Sequence, residues 1–174
     1  MSLLDAVHAH LREQNVPHAL IGAMAMASHG AGRASLDADL LAVEASLLEP
    51  GPWSGFTAGI VDRRPGGAFD PLAGVVRIAA PGEVPVDIVL FGPHGWQAEV
   101  LQRATGSGLR LVTPADLVLM KLFAGGPRDR ADVHALLDLD ATIRPTVDAR
   151  IGALPARARA LWSRLLAERE GEPG

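Results

Sequence analysis

Residues 19–43 read ALIGAMAMASHGAGRASLDADLLAV. Ala19, Leu20 and Ile21 form a short apolar run of the strand type. Gly22 and Ala23 then turn the chain into a small-residue helix over residues 24–29. A second glycine turn follows at residues 30–32, with Arg33 beside it, and a strand over residues 37–43 carries Asp37 and Asp39. Strand side chains alternate faces with period 2, so residues 37 and 39 point the same way. Their neighbours Leu36, Ala38, Leu40 and Leu41 are apolar, which suits the strand to burial. Two carboxylates on one face of such a strand cost several kcal/mol unless a positive group is held between them. A divalent cation with oxygen ligands, magnesium above all, fills that role. Asp-x-Asp is also a common tripeptide of solvated loops and strand ends. The pair therefore takes its meaning from the glycine turn and helix before it and from a third aspartate after it.

That third aspartate lies in residues 84–91, VPVDIVLF. Residues 75–80, VVRIAA, precede it, and the short turn Pro81-Gly82-Glu83 between the two runs predicts a β-hairpin. Asp87 stands alone among Val86, Ile88 and Val89 and needs a partner. Either an arginine meets it or it joins the first pair. Paired strands lie about 4.8 Å apart, close enough for three carboxylates to share one or two ions.

With 174 residues the chain suffices for one domain with a real core. It is 48% hydrophobic, hence globular, and its formal net charge of -4 comes with no dense basic run. A duplex-DNA binder held by a broad basic surface is not expected. The absence of cysteine excludes disulfides and cysteine–zinc sites. No signal-peptide pattern opens the chain and no apolar run has the length of a membrane span, so a cytoplasmic protein without membrane contact is the expectation. Abundant Ala, Gly, Arg and Leu, with little Lys and no Tyr, suggest a GC-rich bacterial genome.

Outward from the central stretch, residues 3–14 have helical apolar spacing at Leu3, Leu4, Val7 and Leu11, with Ser2 as N-cap. His8 and His10 lie two apart on that helix, face different directions and read as surface residues. The head of the helix after Gly22 offers free N–H groups and the positive end of a dipole, suited to phosphate; tight helix-on-sheet packing explains the same small residues. Gly30-Ala31-Gly32 lacks the third glycine and the preceding strand of a dinucleotide fingerprint. Residues 44–70 are rich in Gly and Pro and read as irregular chain after a short helix over 45–48, anchored by Trp53, Phe56 and Ile60. A helix over 95–104 and a strand over 109–112 follow. Thr113-Pro114-Ala115-Asp116 is a capped helix start, and the helix runs to Ala124 with Lys121 its one basic residue. Residues 127–137 and 155–168 read as two further helices.

The order Gly22, a short helix, His29-Gly30, Arg33, Ser35, Asp37-x-Asp39 and then Asp87 resembles the nucleotidyltransferase superfamily, the polymerase-beta-like fold. The branch it resembles contains abortive-infection type IV toxins and small antibiotic nucleotidyltransferases. TPADLVLMKLFAGGPRDRADVHALL, residues 113–137, is similar to the same branch. The resemblance spans residues 18–137 with a gap in the middle. Ala23 departs from it, because Gly or Ser is usual there.

The resemblance implies an α/β (α+β) fold with a mixed sheet of about four to five strands, flanking helices and C-terminal helices. The nucleotidyltransferase domain would cover residues 1–140, with 141–174 a helical extension packed on it. It implies transfer of an NMP from an NTP, with pyrophosphate released, to a hydroxyl of an acceptor, either tRNA or other RNA or a small molecule, and an antitoxin partner if the chain is a toxin. Asp37, Asp39 and Asp87 would hold two magnesium ions, and Asp87 would also accept the acceptor's proton. Gly22 and Ala23 would cradle phosphate, with Ser28, Arg33, Ser35 and Lys121 as neutralising or hydrogen-bonding groups. For Arg33 and Lys121 an ion pair with Asp87 or Asp129 is the competing reading. The rival function is a catalytically inactive homologue that binds a nucleotide or a protein partner.

Overall fold

Asn15, in a left-handed conformation (φ 57°), and Pro17 end the first helix and release the chain into its first strand. The computed structural model describes residues 1–32, 35–68 and 70–171. They fall into two compact units, one within residues 1–28 and 32–112, the other within residues 29–31 and 113–171.

The first unit is built on a five-stranded mixed sheet. Its strands are β1 (His18–Ile21), β2 (Ala38–Ala42), β3 (Ile60–Pro65), β4 (Gly74–Ala79) and β5 (Val86–Leu90), in the spatial order β1-β2-β5-β4-β3. Among these strands β2 and β5 pair in parallel, and the other three pairings are antiparallel. Helix α1 (Leu3–Glu13) starts at a capping box in which Ser2 Oγ accepts from the Asp5 N–H, and it buries Leu3, Val7 and Leu11. Helix α2 (Gly22–Ser28) leaves β1 without a loop, because Gly22 takes φ +67°. Helix α3 spans Trp96–Arg103.

The sheet's core face is Val76 and Ile78 of β4, Val86, Ile88 and Leu90 of β5, and Leu40 of β2, all fully buried. On β4 and β5 these alternate with half-buried residues, the pattern of a sheet packed on one side. The outer edge of β1 is covered: Leu20 donates to the Arg110 carbonyl and Val112 donates to the Leu20 carbonyl. Residues 109–112, expected as a strand, form no strand among the described residues and meet the sheet through these bonds and the bridges of Leu111 to Leu20 and Thr105.

Strand β3 lies inside the stretch expected to be irregular. Asp62, Arg63, Arg64 and Pro65 give it no apolar alternation to read; it exists because it pairs along its whole length with β4, from Ile60 opposite Ala79 to Pro65 opposite Gly74. Its charges and terminal proline are those of a protected sheet edge. Ile60, expected as an anchor, is exposed.

The second unit contains helices α4 (Pro114–Ala124), α5 (Pro127–Leu137), α6 (Ile143–Arg150) and α7 (Ala156–Gly171). Thr113 caps α4, with the Asp116 N–H donating to its Oγ1, and Gly125 (φ +73°) closes the helix. Asp116 is fully buried and is met by Arg150 of α6 at 3.2 Å. Leu161, Trp162 and Leu165 of α7 are buried, and Trp162 Nε1 donates to Asp148 Oδ1 at 2.8 Å. Helix α6 escapes a sequence reading because Pro145 lies within its first turn and only Ile143 and Val147 are buried.

Candidate active site

Strand pairing brings the acids together. Asp39 of β2 is the register partner of Asp87 on the parallel neighbour β5, and residues directly opposite share a face. Asp37, two positions before Asp39, reaches the same side from the bend that opens β2. Its carboxylate is oriented by Ser35, whose Oγ lies 3.0 Å from Asp37 Oδ1 and donates to the Asp37 carbonyl at 2.8 Å. One carboxylate oxygen from each of Asp37, Asp39 and Asp87 falls within 4.8 Å of the others, and all three residues are half-buried.

Two elements frame this cluster. Ile21, the last residue of β1, is the register partner of Asp39, and Gly22 packs directly against the Asp39 carboxylate. A Cβ at residue 22 would lie 2.9 Å from Asp39 Cγ, so only glycine allows the turn into α2 to pass so close. On the other side, Arg77 of β4 is the register partner of Asp87 and donates from Nη1 to its Oδ2 at 2.6 Å. Asp87 thus meets an arginine and also joins the first acid pair.

The two oxygens of Asp87 differ. Oδ2 takes the Arg77 bond, while Oδ1 is buried and has no hydrogen-bond partner among the described residues. Burial pushes the Asp87 carboxyl above the usual carboxylate range; the negative charge of Asp37 pushes the same way, and Arg77 and Arg64 oppose it. An acid raised in this way is suited to accepting a proton. The donor set is entirely carboxylate oxygen, and a buried Asp87 Oδ1 without a partner is a position that a hard divalent cation satisfies. The residues fit magnesium.

The other expected site residues lie as follows. Ala23 is buried in α2 and carries only a methyl group, so only its backbone can serve a ligand. Ser28 Oγ donates back to the Met24 carbonyl at 2.9 Å, within its own helix. Ser35 serves Asp37. Arg33 lies outside the described residues. Lys121 belongs to the second unit, where its Nζ is 3.1 Å from Asp129 and 2.7 Å from Asp132. His8 and His10, expected as surface residues, are both engaged: His8 Nδ1 lies 2.7 Å from His18 Nε2, and His10 Nε2 lies 2.8 Å from the Pro52 carbonyl beside the Trp53 ring.

Arg77 was missed by the sequence reading, although a signal was present. Residues 77 and 87 are equidistant from Gly82, the centre of the predicted hairpin turn, so a symmetric ladder pairs them.

The solution structure of the antibiotic-resistance factor ANT(2'')-Ia matches 98% of this chain and 96% of its own length, at 13% identity and a TM-score of 0.55. The chain has the nucleotidyltransferase fold. A crystal structure of ANT(2'')-Ia with adenylyl-2''-tobramycin aligns over 84% of this chain and 94% of that one (12% identity, TM-score 0.48). A protein from H. pylori assigned to the nucleotidyltransferases aligns over 78% and 65% (23% identity, TM-score 0.49). The fold rests on the first of these three. No protein-family model and no curated protein matches the sequence. Among the described residues no helix is long and apolar enough to cross a membrane.

Proposed function

We propose that this chain is an enzyme that transfers a nucleoside monophosphate from a nucleoside triphosphate to a hydroxyl of a small-molecule acceptor. The observation that carries the reading is the convergence of three carboxylates, from the bend before β2, from β2 and from β5, beside the glycine turn that opens α2. In the reaction the acceptor oxygen bonds to the α-phosphorus, the bond from that phosphorus to the β-bridging oxygen breaks, and pyrophosphate leaves. Asp37, Asp39 and Asp87 would hold magnesium, which when bound neutralises charge on the attacking and leaving oxygens. The Asp87 carboxylate would accept the acceptor's proton, and Arg77 keeps it oriented through Oδ2. Ser35 holds the Asp37 carboxylate in place. Backbone N–H groups at Gly22 and Ala23 receive the triphosphate, since neither residue has a polar side chain.

A small acceptor is favoured because the match to the antibiotic-resistance factor runs over almost the full length of both chains. The inactive-homologue reading draws on Ala23 alone, and a complete set of three acids argues against it.

The test is pyrophosphate release from each of the four NTPs with magnesium, against a panel of aminoglycosides and against tRNA, with mass spectrometry of the acceptor. A mass gain of one NMP on a small molecule supports the proposal. A gain on tRNA alone would replace the acceptor class. Absence of both, together with NTP binding that does not depend on magnesium, would establish the inactive reading.

A further inference from the structure

A cavity of the first unit, about 270 Å³, is lined by His8, Arg12, Val16, Pro17, His18, Arg110 and the Gly106-Ser107-Gly108 turn. We infer that it is an anion pocket that receives a phosphate group, distinct from the carboxylate cluster. His18 opens β1 and Ile21, opposite Asp39, closes it, so the two sites are three strand residues apart, roughly 10 Å.

The composition of the wall is the first reason. The chain carries 20 acidic and 16 Lys and Arg residues, yet the lining has two arginines and no carboxylate. Neither arginine forms an ion pair among the described residues: Arg110 Nη1 donates to the Leu101 carbonyl at 3.1 Å, and Arg12 is exposed at the end of α1. Two cations without anions around one concavity repel each other, and an oxyanion between them relieves that cost. Guanidinium is also the side-chain group whose planar fork fits phosphate best.

The backbone supplies further donors. Among the described residues the N–H groups of Gly106, Ser107 and Gly108 donate to no backbone carbonyl, although the loop is closed on both sides by Thr105–Leu111 bonds. Successive free N–H groups in a glycine turn form an anion-binding concavity.

The histidines are already satisfied. His18 Nδ1 lies 2.8 Å from the Val16 carbonyl and so donates to it, which leaves Nε2 to accept from His8 Nδ1. Burial lowers the proton affinity of both rings; at His18 the Val16 carbonyl opposes this while His8, Arg110 and Arg12 add to it, and at His8 Arg12 adds to it while Asp5, on the N-terminal turn of α1, opposes it. The positive charge of the pocket therefore rests on Arg12 and Arg110. Its volume lies below the roughly 300–1,000 Å³ of sites for drug-sized ligands, which suits a phosphate or diphosphate group rather than a whole nucleotide.

The test is a titration of the full chain with inorganic phosphate, followed by amide and arginine NMR shifts. EDTA is present throughout, so that metal-dependent phosphate binding at the carboxylates does not contribute. Saturable shifts at Gly106, Ser107 and Gly108, with the dissociation constant raised at least tenfold by Arg12→Gln and less by Arg12→Lys, support the pocket. Arg12 is exposed, so these variants keep the fold. No saturable shift, or equal binding by wild type and Arg12→Gln, overturns it. A parallel arm with a single-stranded RNA hexamer lacking terminal phosphates identifies the source. If RNA moves the same amides and phosphate competes, the ligand is a phosphodiester; if only phosphate and pyrophosphate act, it is a small phosphate.

Discussion

Arg77 Nη1 lies 2.6 Å from Asp87 Oδ2, directly across the β4–β5 ladder, and this pair decides how the third acid is presented. The carboxylate is largely buried, whereas the guanidinium is a third exposed, so the pair stands at a boundary between core and solvent. Removing the cation strands the acid. Arg77→Met should cost about 2 kcal/mol at pH 7, the scale for a buried charged acceptor left unpaired. Urea melts of the two proteins measure it, and an unchanged midpoint would mean that solvent screens the pair fully.

The raised proton affinity of Asp87 has a definite sign in stability. Its ordinary carboxyl value is 3.8, and the folded value is higher. The native state therefore binds the extra proton in the window between the two, and stability falls as pH rises through that window. Asp87→Asn cannot titrate. The stability of Asp87→Asn relative to wild type should rise from pH 3.5 upward and level off once Asp87 is ionised. A difference that stays flat over this range would show that Asp87 titrates normally.

Gly22→Ala probes the closest approach in the site. Alanine at φ +67° is strained by about 1–2 kcal/mol, and the added methyl occupies the place of the Asp39 carboxylate. A lower melting temperature and loss of nucleotidyl transfer by at least tenfold are both expected. An alanine variant that is less stable but fully active would show that Asp39 need not stay where Gly22 holds it.

Lys121 tests a structural role against a nucleotide-binding one. Its ammonium lies between Asp129 and the buried Asp132, joining α4 to α5. Lys121→Met should destabilise the protein by about 3 kcal/mol, because it leaves two acids with their cation removed. Isothermal titration with NTP and magnesium supplies the second readout. Weaker NTP binding with unchanged stability would favour the nucleotide role.

Local signals alone determined much of this protein. The Ser2 and Thr113 caps, the Gly22 turn, the Asp37-x-Asp39 spacing and the hairpin around Gly82 each depend on residues a few positions apart. Short-range sterics and hydrogen bonding act over that range, so they are legible in order along the chain. That Asp87 needed a partner was also legible, because a carboxylate in an apolar strand is costly wherever the strand goes.

Which partner it found was not. Insertion of β5 between β2 and β4 sets Asp39 opposite Asp87 on one side and Arg77 on the other, and that register is a long-range choice made by burying Leu40, Val76, Ile78, Val86 and Ile88 together. A slip of one residue would have sent the acids into the core. Strand β3 exists for the same reason, since its polar sequence becomes a strand only where β4 offers an edge. The two arginines at the far end of β1 come from α1 and from the segment covering the sheet edge, two pieces of chain that local pattern cannot bring together.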